Sequence, residues 1–309
     1  MDKRISIVTP CYNEVANVGE LYGRICKVME ESVYGFEIIF IDNASTDGTA
    51  DAIKALIAKD SRVRLIVNTR NFGHIRSPYY GVLQAHGDAV IYLASDLQDP
   101  PEMLPEFIGR WEKGAKVVLA SKPVSNTNKI VHWVRKAYYR VVDGIAEVPI
   151  VKDTTGFGLY DQRVIEIIRE INDPYPYFRG LVCELGFETE VIPFEQPRRL
   201  RGVSKNNLYT LFDMAMLGLV SHSKVPLRLA TLFGFLLAGC SFMAAIGFFF
   251  YKLAHWQTVP LGLAPFAIIV LMLFGVLFVF VGILGEYIGS IYTHVQNRPV
   301  VVERERVNF

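Results

Sequence analysis

One stretch in the middle of the chain has residue types and spacing suited to chemistry: Val90-Ile91-Tyr92-Leu93-Ala94-Ser95-Asp96-Leu97-Gln98-Asp99-Pro100-Pro101. It reads as a buried strand that ends abruptly in oxygen-bearing side chains and a double proline. Open α/β sheets bind ligands at the carboxyl ends of their strands, and hard oxygen donors suit Mg²⁺ or Mn²⁺. Two further strand ends carry comparable groups. The first closes in Thr9-Pro10-Cys11-Tyr12-Asn13-Glu14 and the second in Asp42-Asn43-Ala44-Ser45-Thr46-Asp47-Gly48-Thr49. Asp42 is suited to accept hydrogen bonds from a base or ribose. Asp47 and Ser45 have a competing role as helix N-caps. The loop Asn68-Thr69-Arg70-Asn71-Phe72-Gly73-His74 reaches the same edge, and its one histidine is a weak signal.

The elements that must position these groups alternate. Apolar runs at Ile5 to Thr9, Phe36 to Ile41, Val63 to Val67, Ala89 to Leu93 and Lys116 to Ala120 read as strands. Asn17 to Glu30 and Thr49 to Ala58 have helical periodicity. That alternation predicts an α/β fold, a mostly parallel Rossmann-like sheet with helices on both faces. Continuous apolar strands fit burial on both faces. Lys129 to Val142 reads as an amphipathic helix, and Gly186 to Pro193 as a late edge strand.

The chain has 309 residues and a formal net charge of +1, so it shows no electrostatic footprint for nucleic acid. Its four cysteines have no CxxC spacing and read as reduced structural thiols, as in a cytosolic domain. The first residues run straight into a strand without the apolar stretch of a signal peptide. Mean hydropathy is +0.26, and the apolar excess lies after Lys224. Leu229 to Tyr251 and Pro260 to Gly285 are uncharged and each long enough to cross about 30 Å of hydrocarbon. Basic residues precede the first segment (Arg198, Arg199, Arg201, Lys205, Lys224, Arg228) and follow the second (Arg298, Arg304, Arg306). The positive-inside rule then places both termini in the cytoplasm; two buried core helices are the alternative. Asn206 to His222 is amphipathic and fits either a helix in the membrane interface or a core helix. These readings divide the chain into a cytosolic domain at 1–205, an interfacial helix at 206–224, two transmembrane helices at 225–290 and a cytosolic tail at 291–309.

Taken in order, Pro-x-Tyr-Asn-Glu from Pro10, Asp-x-x-Ser-Thr-Asp-Gly-Thr from Asp42, Arg-Asn-Phe-Gly-His from Arg70 and Asp-Leu-Gln-Asp-Pro-Pro from Asp96 resemble the inverting GT-A glycosyltransferases of family 2. Within them they resemble the polyprenyl-phosphate glycosyltransferases related to dolichyl-phosphate mannose synthase, and the tail resembles the bactoprenol glucosyltransferase branch with its two transmembrane helices. The resemblance covers nearly the whole chain. It implies a nucleotide-sugar donor, UDP-linked rather than GDP-linked, a polyprenyl (undecaprenyl) phosphate acceptor, a plasma-membrane location and a homo-oligomer, a tetramer as family members often are. By the same resemblance Pro10, Tyr12, Glu14, Asp42, Asn71, Ser95 and Asp96 hold the nucleotide sugar, and Asp96 and Gln98 hold a divalent cation. The segment Arg199-Leu200-Arg201-Gly202-Val203-Ser204-Lys205 matches the family's Arg-x-x-Gly-x-Ser-Lys, with Arg199, Ser204 and Lys205 near phosphate. Arg135 joins them by a looser match. Asp96, Asp153, Arg199 and Lys205 carry the catalytic roles. The Arg198 to Lys205 run also suits a cationic belt drawn to anionic lipid.

Three departures stand out. The family usually reads Asp-Ala-Asp-Leu-Gln-Asp, and the first Asp is Ala94 here. The family's Asp-Ala-Gly-Asp-Phe becomes Asp153-Thr154-Thr155-Gly156-Phe157, which keeps one carboxylate and loses the other. His74-Ile75-Arg76-Ser77-Pro78 replaces small residues, and Arg76 is a candidate to read a different sugar or a charged donor. The first two departures motivate an alternative, a catalytically weak, membrane-anchored nucleotide-sugar binder or scaffold. A processive polysaccharide synthase is disfavoured, because no Gln-x-x-Arg-Trp segment is present and the spans are too few for a secretion channel.

Overall fold

A computed structural model describes residues 3–122, 151, 154–197, 225–254, 263–296 and 298–309. The expected helices over 129–142 and 206–222, and the site candidates Arg135, Asp153, Arg199, Ser204 and Lys205, lie outside the described residues.

The amino-terminal half alternates strands and helices: β1 (Arg4–Cys11), α1 (Val15–Met29), β2 (Gly35–Asp42), α2 (Thr49–Ile57), β3 (Val63–Asn68), α3 (Gly73–Leu83), β4 (Ala89–Tyr92), α4 (Leu104–Glu112) and β5 (Val117–Ser121). There follow β6 (Thr154–Asp161), α5 (Gln162–Ile171), α6 (Phe178–Glu184), β7 (Thr189–Pro193), the long helices α7 (Val225–Ala254) and α8 (Leu263–Val295), and β8 (Glu303–Val307). The strands form one sheet in the order β7-β5-β6-β4-β1-β2-β3-β8. Only β6 and β8 run against the others.

Alternate residues of the apolar strands fill cores on opposite faces. Ile5 and Ile7 of β1, with Phe36, Ile38 and Phe40 of β2, pack on Leu21 and Ile25 of α1. Val8, Ile39 and Ile41 face the other way, onto Tyr79 and Val82 of α3 and Ile165 of α5. This double burial is why the strands are apolar throughout rather than alternating. The parallel register ends flush: Cys11 of β1 faces Asp42 of β2, and Asp42 faces Val67 of β3. Three chemistry-bearing loops therefore leave the sheet side by side.

Helices α3, α4, α5 and α6 and strands β6 and β8 have no counterpart in the sequence reading. Pro78 inside α3 and glycines 156 and 158 inside β6 mask their periodicity. Gly158 is required there, because a Cβ would collide with the Val118 carbonyl of the neighbouring strand. Strand β8 falls in the segment read as a tail. It lies antiparallel on the β3 edge, covering an otherwise open row of backbone groups.

Helices α7 and α8 are each long and apolar enough to cross a membrane, over Val225–Ala244 and Leu273–Val295. Large side chains such as Phe235 (75% exposed) and Phe278 (70% exposed) face outward. The alternative of two buried core helices fails on that exposure.

Candidate active site

Three non-glycine residues at this edge adopt left-handed backbone: Asn13 after β1 (φ 58°), Ala44 after β2 (φ 61°) and Leu97 after β4 (φ 61°). Such conformations cost energy and persist where the surroundings over-determine them, as at ligand sites. Here side chains tie the three loops together. Asn13 N donates to Ser45 Oγ (2.8 Å), and Thr46 N donates back to Asn13 Oδ1 (2.8 Å). Ser95 Oγ donates to the Pro10 carbonyl (2.7 Å), joining the β4 and β1 ends. Asp47 accepts from Thr49 N (3.0 Å) at the start of α2 and from Val15 N (3.1 Å) at the start of α1. Asp47 is not the N-cap expected of it, since Gly48 takes that position in α2 and Glu14 in α1; it lies one residue before the cap of α2 and accepts from the first N–H of each helix. Both helix N-termini carry orphan donors and a positive dipole end, which an acidic side chain satisfies.

Asp42 is different. It is fully buried, and Oδ2 accepts from Ser45 N (3.1 Å). Its Oδ1 is a buried acceptor with no partner among the described residues. Burial raises its pKa above the ordinary carboxylate value, opposed by hydrogen bonds from Ser45 and the charge of Arg304. An orphan acceptor at the nucleotide edge is what a base or ribose donor would satisfy. Asn71 Oδ1 accepts from Asn43 Nδ2 (2.9 Å) and Gly73 N (2.7 Å), so it holds its own loop in place.

Beside this edge lies a cavity of about 450 Å³, lined by Tyr92, Asp96, Gln98, Asp99, Lys122 and Arg179 among others. Asp96 Oδ1 accepts from Gln98 N (3.1 Å), and Gln98 Nε2 donates to the Pro197 carbonyl (3.3 Å). The structure brings Asp96 and Gln98 into this cavity, whereas Pro10, Tyr12, Glu14, Asp42, Asn71 and Ser95 are not among its lining residues.

Sequence reading assigned no role to several cavity residues. Asp99 is 3% exposed, and its carboxyl is pushed up to about 7 by burial and by Asp96, against the Ala94 N–H and the Lys122 charge. Arg179 donates to the Thr154 carbonyl (2.6 Å), and its guanidinium lies over the Tyr177 ring at 5.3 Å. Thr155 also lines the cavity, and its hydroxyl is a buried group without a partner among the described residues. Asp99 was visible within the Asp-Leu-Gln-Asp motif. Lys122 and Arg179 sit outside any motif and come to the cavity only through strand β5 and helix α6.

The departures from the family pattern have local correlates. Gly156 has φ +92°, a region that disfavours side chains. Ala94 lines the cavity next to two other carboxylates. Arg76 does not line this cavity, while His74, Ile75 and Pro78 of the same helix do.

A carboxylate and an amide oxygen are suitable donors for Mg²⁺ or Mn²⁺. Among the described residues no group of three His, Cys, Asp or Glu side chains closes a metal site by itself. That fits a hard cation whose remaining ligands come from substrate phosphate and water, as Mg²⁺ is commonly held.

An oxygen-lined carboxyl edge on a doubly covered, mostly parallel sheet defines an α/β protein with a ligand-binding edge. The chain matches the model of glycosyl transferase family 2 over residues 6–169 and belongs to that family. It is 33% identical to the bactoprenol glucosyl transferase of Shigella phage SfII over 301 residues, 96% of each chain. It is 32% identical to the uncharacterized glycosyltransferase YkcC of Bacillus subtilis over 298 residues, 96% of this chain and 92% of that one. A solved structure of similar fold is a mannosyltransferase from Pyrobaculum calidifontis in complex with GDP-Man and Mn²⁺, at 18% identity and TM-score 0.46, covering 71% of this chain and 63% of that one.

Proposed function

We propose that this glycosyltransferase moves a sugar from a nucleotide sugar to a polyprenyl phosphate, undecaprenyl phosphate in a bacterial membrane, with inversion at the anomeric carbon. One observation carries the reading. After two helices long enough to cross a bilayer, the chain returns to the catalytic sheet as β8. Leaving and rejoining one sheet requires an even number of crossings. A helical hairpin with both ends on the catalytic side satisfies this, and it holds the nucleotide edge against the membrane where lipid phosphates lie. The bactoprenol glucosyl transferases among the relatives support the choice of lipid. Plasma-membrane residence, cytoplasmic termini and the domain limits at 205 and 224 belong to the same proposal, with the limit expected at 290 moved to Val295, where α8 ends. So do a UDP-linked donor and a homo-oligomer.

A lipid phosphomonoester has a second pKa near ~6 and is largely ionised at neutral pH. It needs little help from a general base. One of its oxygens attacks the anomeric carbon. The new C–O bond forms as the bond to the nucleoside diphosphate breaks, and the bonding pair leaves with the diphosphate. The protein's task is to bring two anions together and neutralise them. Pro10, Tyr12, Glu14, Asp42, Asn71 and Ser95 hold the nucleotide sugar. Arg135, Arg199, Ser204 and Lys205 hold the acceptor phosphate, and Asp153 completes the reacting end. Lys122 and Arg179 add positive charge to the cavity wall. Asp96 and Gln98 would hold Mg²⁺ or Mn²⁺, which supplies Lewis-acid neutralisation of the departing diphosphate.

The test is nucleoside diphosphate release by the full chain in detergent, across a panel of nucleotide sugars with Mg²⁺ or Mn²⁺, with and without undecaprenyl phosphate. Release that needs the lipid and one donor is expected. Nucleotide binding without lipid-dependent release from any donor would overturn the proposal in favour of a binder.

A further inference from the structure

A second cavity, of about 350 Å³, shares no lining residue with the first. It lies where the end of α8 meets the catalytic domain. Its walls are the loop after β3, one side of α3, the last turn of α8 and the link from α8 to β8. Three arginines line it, Arg70, Arg76 and Arg298, and no acidic residue does. Two acids neighbour lining residues along the chain: Asp173, beside Pro174, faces the His294 ring at 3.3 Å and accepts from Tyr175 N at 2.8 Å, and Glu303, beside Val302, accepts from Tyr80 Oη at 2.9 Å and Arg306 Nε at 2.9 Å.

Two of the arginines are positioned by aromatic rings. Arg70 lies over Phe72 at 4.0 Å and donates to the Asn71 carbonyl at 3.1 Å. Arg76 lies over Tyr175 at 5.0 Å. The Arg76 Nε–H is buried and has no acceptor among the described residues. A buried charged donor without an acceptor is costly, and a missing ligand or water is its usual explanation. Arginine is the side chain best matched to phosphate oxygens.

Depth selects the source of that phosphate. The apolar segment Leu273–Val295 ends at the cavity, and Tyr292 and Gln296 of α8 are part of its wall. Tyrosine at the end of a membrane span marks the headgroup level, and Arg298 follows at once. A basic pocket between protein elements at that level is a headgroup site.

We propose that this cavity binds the phosphate of an anionic membrane lipid, held by Arg76 and Arg298 and separate from the cavity of Asp96 and Gln98. The lipid then fastens the end of α8 to α3, whose His74, Ile75 and Pro78 line that other cavity. The proposal rests on the reading that α8 spans a bilayer.

The full chain is reconstituted in phosphatidylcholine vesicles with and without phosphatidylglycerol, extracted gently, and its retained lipid counted by native mass spectrometry. Retention of phosphatidylglycerol over phosphatidylcholine is expected, reduced about tenfold or more in Arg76→Gln and in Arg298→Gln and unchanged in Lys113→Gln. Arg298 is exposed, so its variant reports on binding without a folding change. Equal retention in wild type and both arginine variants would overturn the proposal. Inorganic phosphate or glycerol 3-phosphate that displaces phosphatidylglycerol at millimolar concentration would overturn the lipid source. Failure of the chain to float with pure phosphatidylcholine vesicles would overturn the anchoring reading itself; flotation without selective retention would overturn only the headgroup site.

Discussion

The backbone N–H of Ala94 donates to Asp99 Oδ2 at 3.3 Å. This bond closes the turn that follows β4 and holds a buried carboxylate beside Asp96. The residue that replaces the family's first aspartate therefore takes part in the site through its backbone. The loop keeps its shape without that side chain, and Asp96, Asp99 and Gln98 remain grouped in one cavity. Four expectations for the full chain in detergent or bilayer follow from the contacts described.

Asp96→Ala removes the carboxylate offered to the cation and the bond to Gln98 N. Loss of one preorganised electrostatic stabiliser typically costs about 10²–10³ in turnover. Lipid-dependent release of nucleoside diphosphate is expected to fall by at least about 100-fold.

Ala94→Asp restores the family's residue and adds a third carboxylate to the group. With a divalent cation present the added oxygen is a further ligand, so half-maximal activity should need less metal. Without the cation, three clustered carboxylates repel. The apo protein should melt at a lower temperature than wild type, and Mg²⁺ or Mn²⁺ should raise its melting point by more.

Asp99 makes metal-free stability depend on pH. Its folded pKa, about 7, lies above the unfolded value of about 3.9. Between those limits the folded state holds the proton that the unfolded state has released, so ΔG of unfolding falls as pH rises. The contribution is fully present below about pH 4 and lost as pH passes through about 7. Thermal melts of Asp99→Asn should show a flatter profile over that window. An unchanged slope would mean that Asp99 titrates normally.

The carboxyl-terminal strand should be structural. Asn308 Nδ2 donates to the carbonyls of Ser61 (2.8 Å) and Val63 (2.7 Å), and Asn308 itself sits at φ 65°. Asn308→Ala loses both bonds and places alanine in a left-handed conformation. A cost of about 1–2 kcal/mol corresponds to a fall of roughly 2–8 °C in melting temperature. Removal of residues 300–309 should cost more and expose the β3 edge, with aggregation visible by size-exclusion chromatography.

Local chemistry by itself determined much of this protein. Continuous apolar strands alternating with amphipathic helices dictate a doubly covered α/β sheet, because no other packing buries both faces. Asp42 was legible at the end of an apolar strand and Asp96 and Gln98 in the loop beyond another, and parallel strands deliver such ends to one edge. The two apolar segments were legible from length alone. Tertiary structure decided the rest. The tail Glu303-Arg304-Glu305-Arg306-Val307 is charged at every position but one and has no strand signature. It becomes β8 because β3 offers an open edge and because Lys54, Tyr80 and Gln84 pair with Glu305, Glu303 and Arg306. Arg179 and Lys122 enter the cavity of Asp96 and Gln98, and Arg76 the second one, because their helices and strands pack in a particular rotation. That rotation is set by contacts between elements distant in sequence, which no local pattern records.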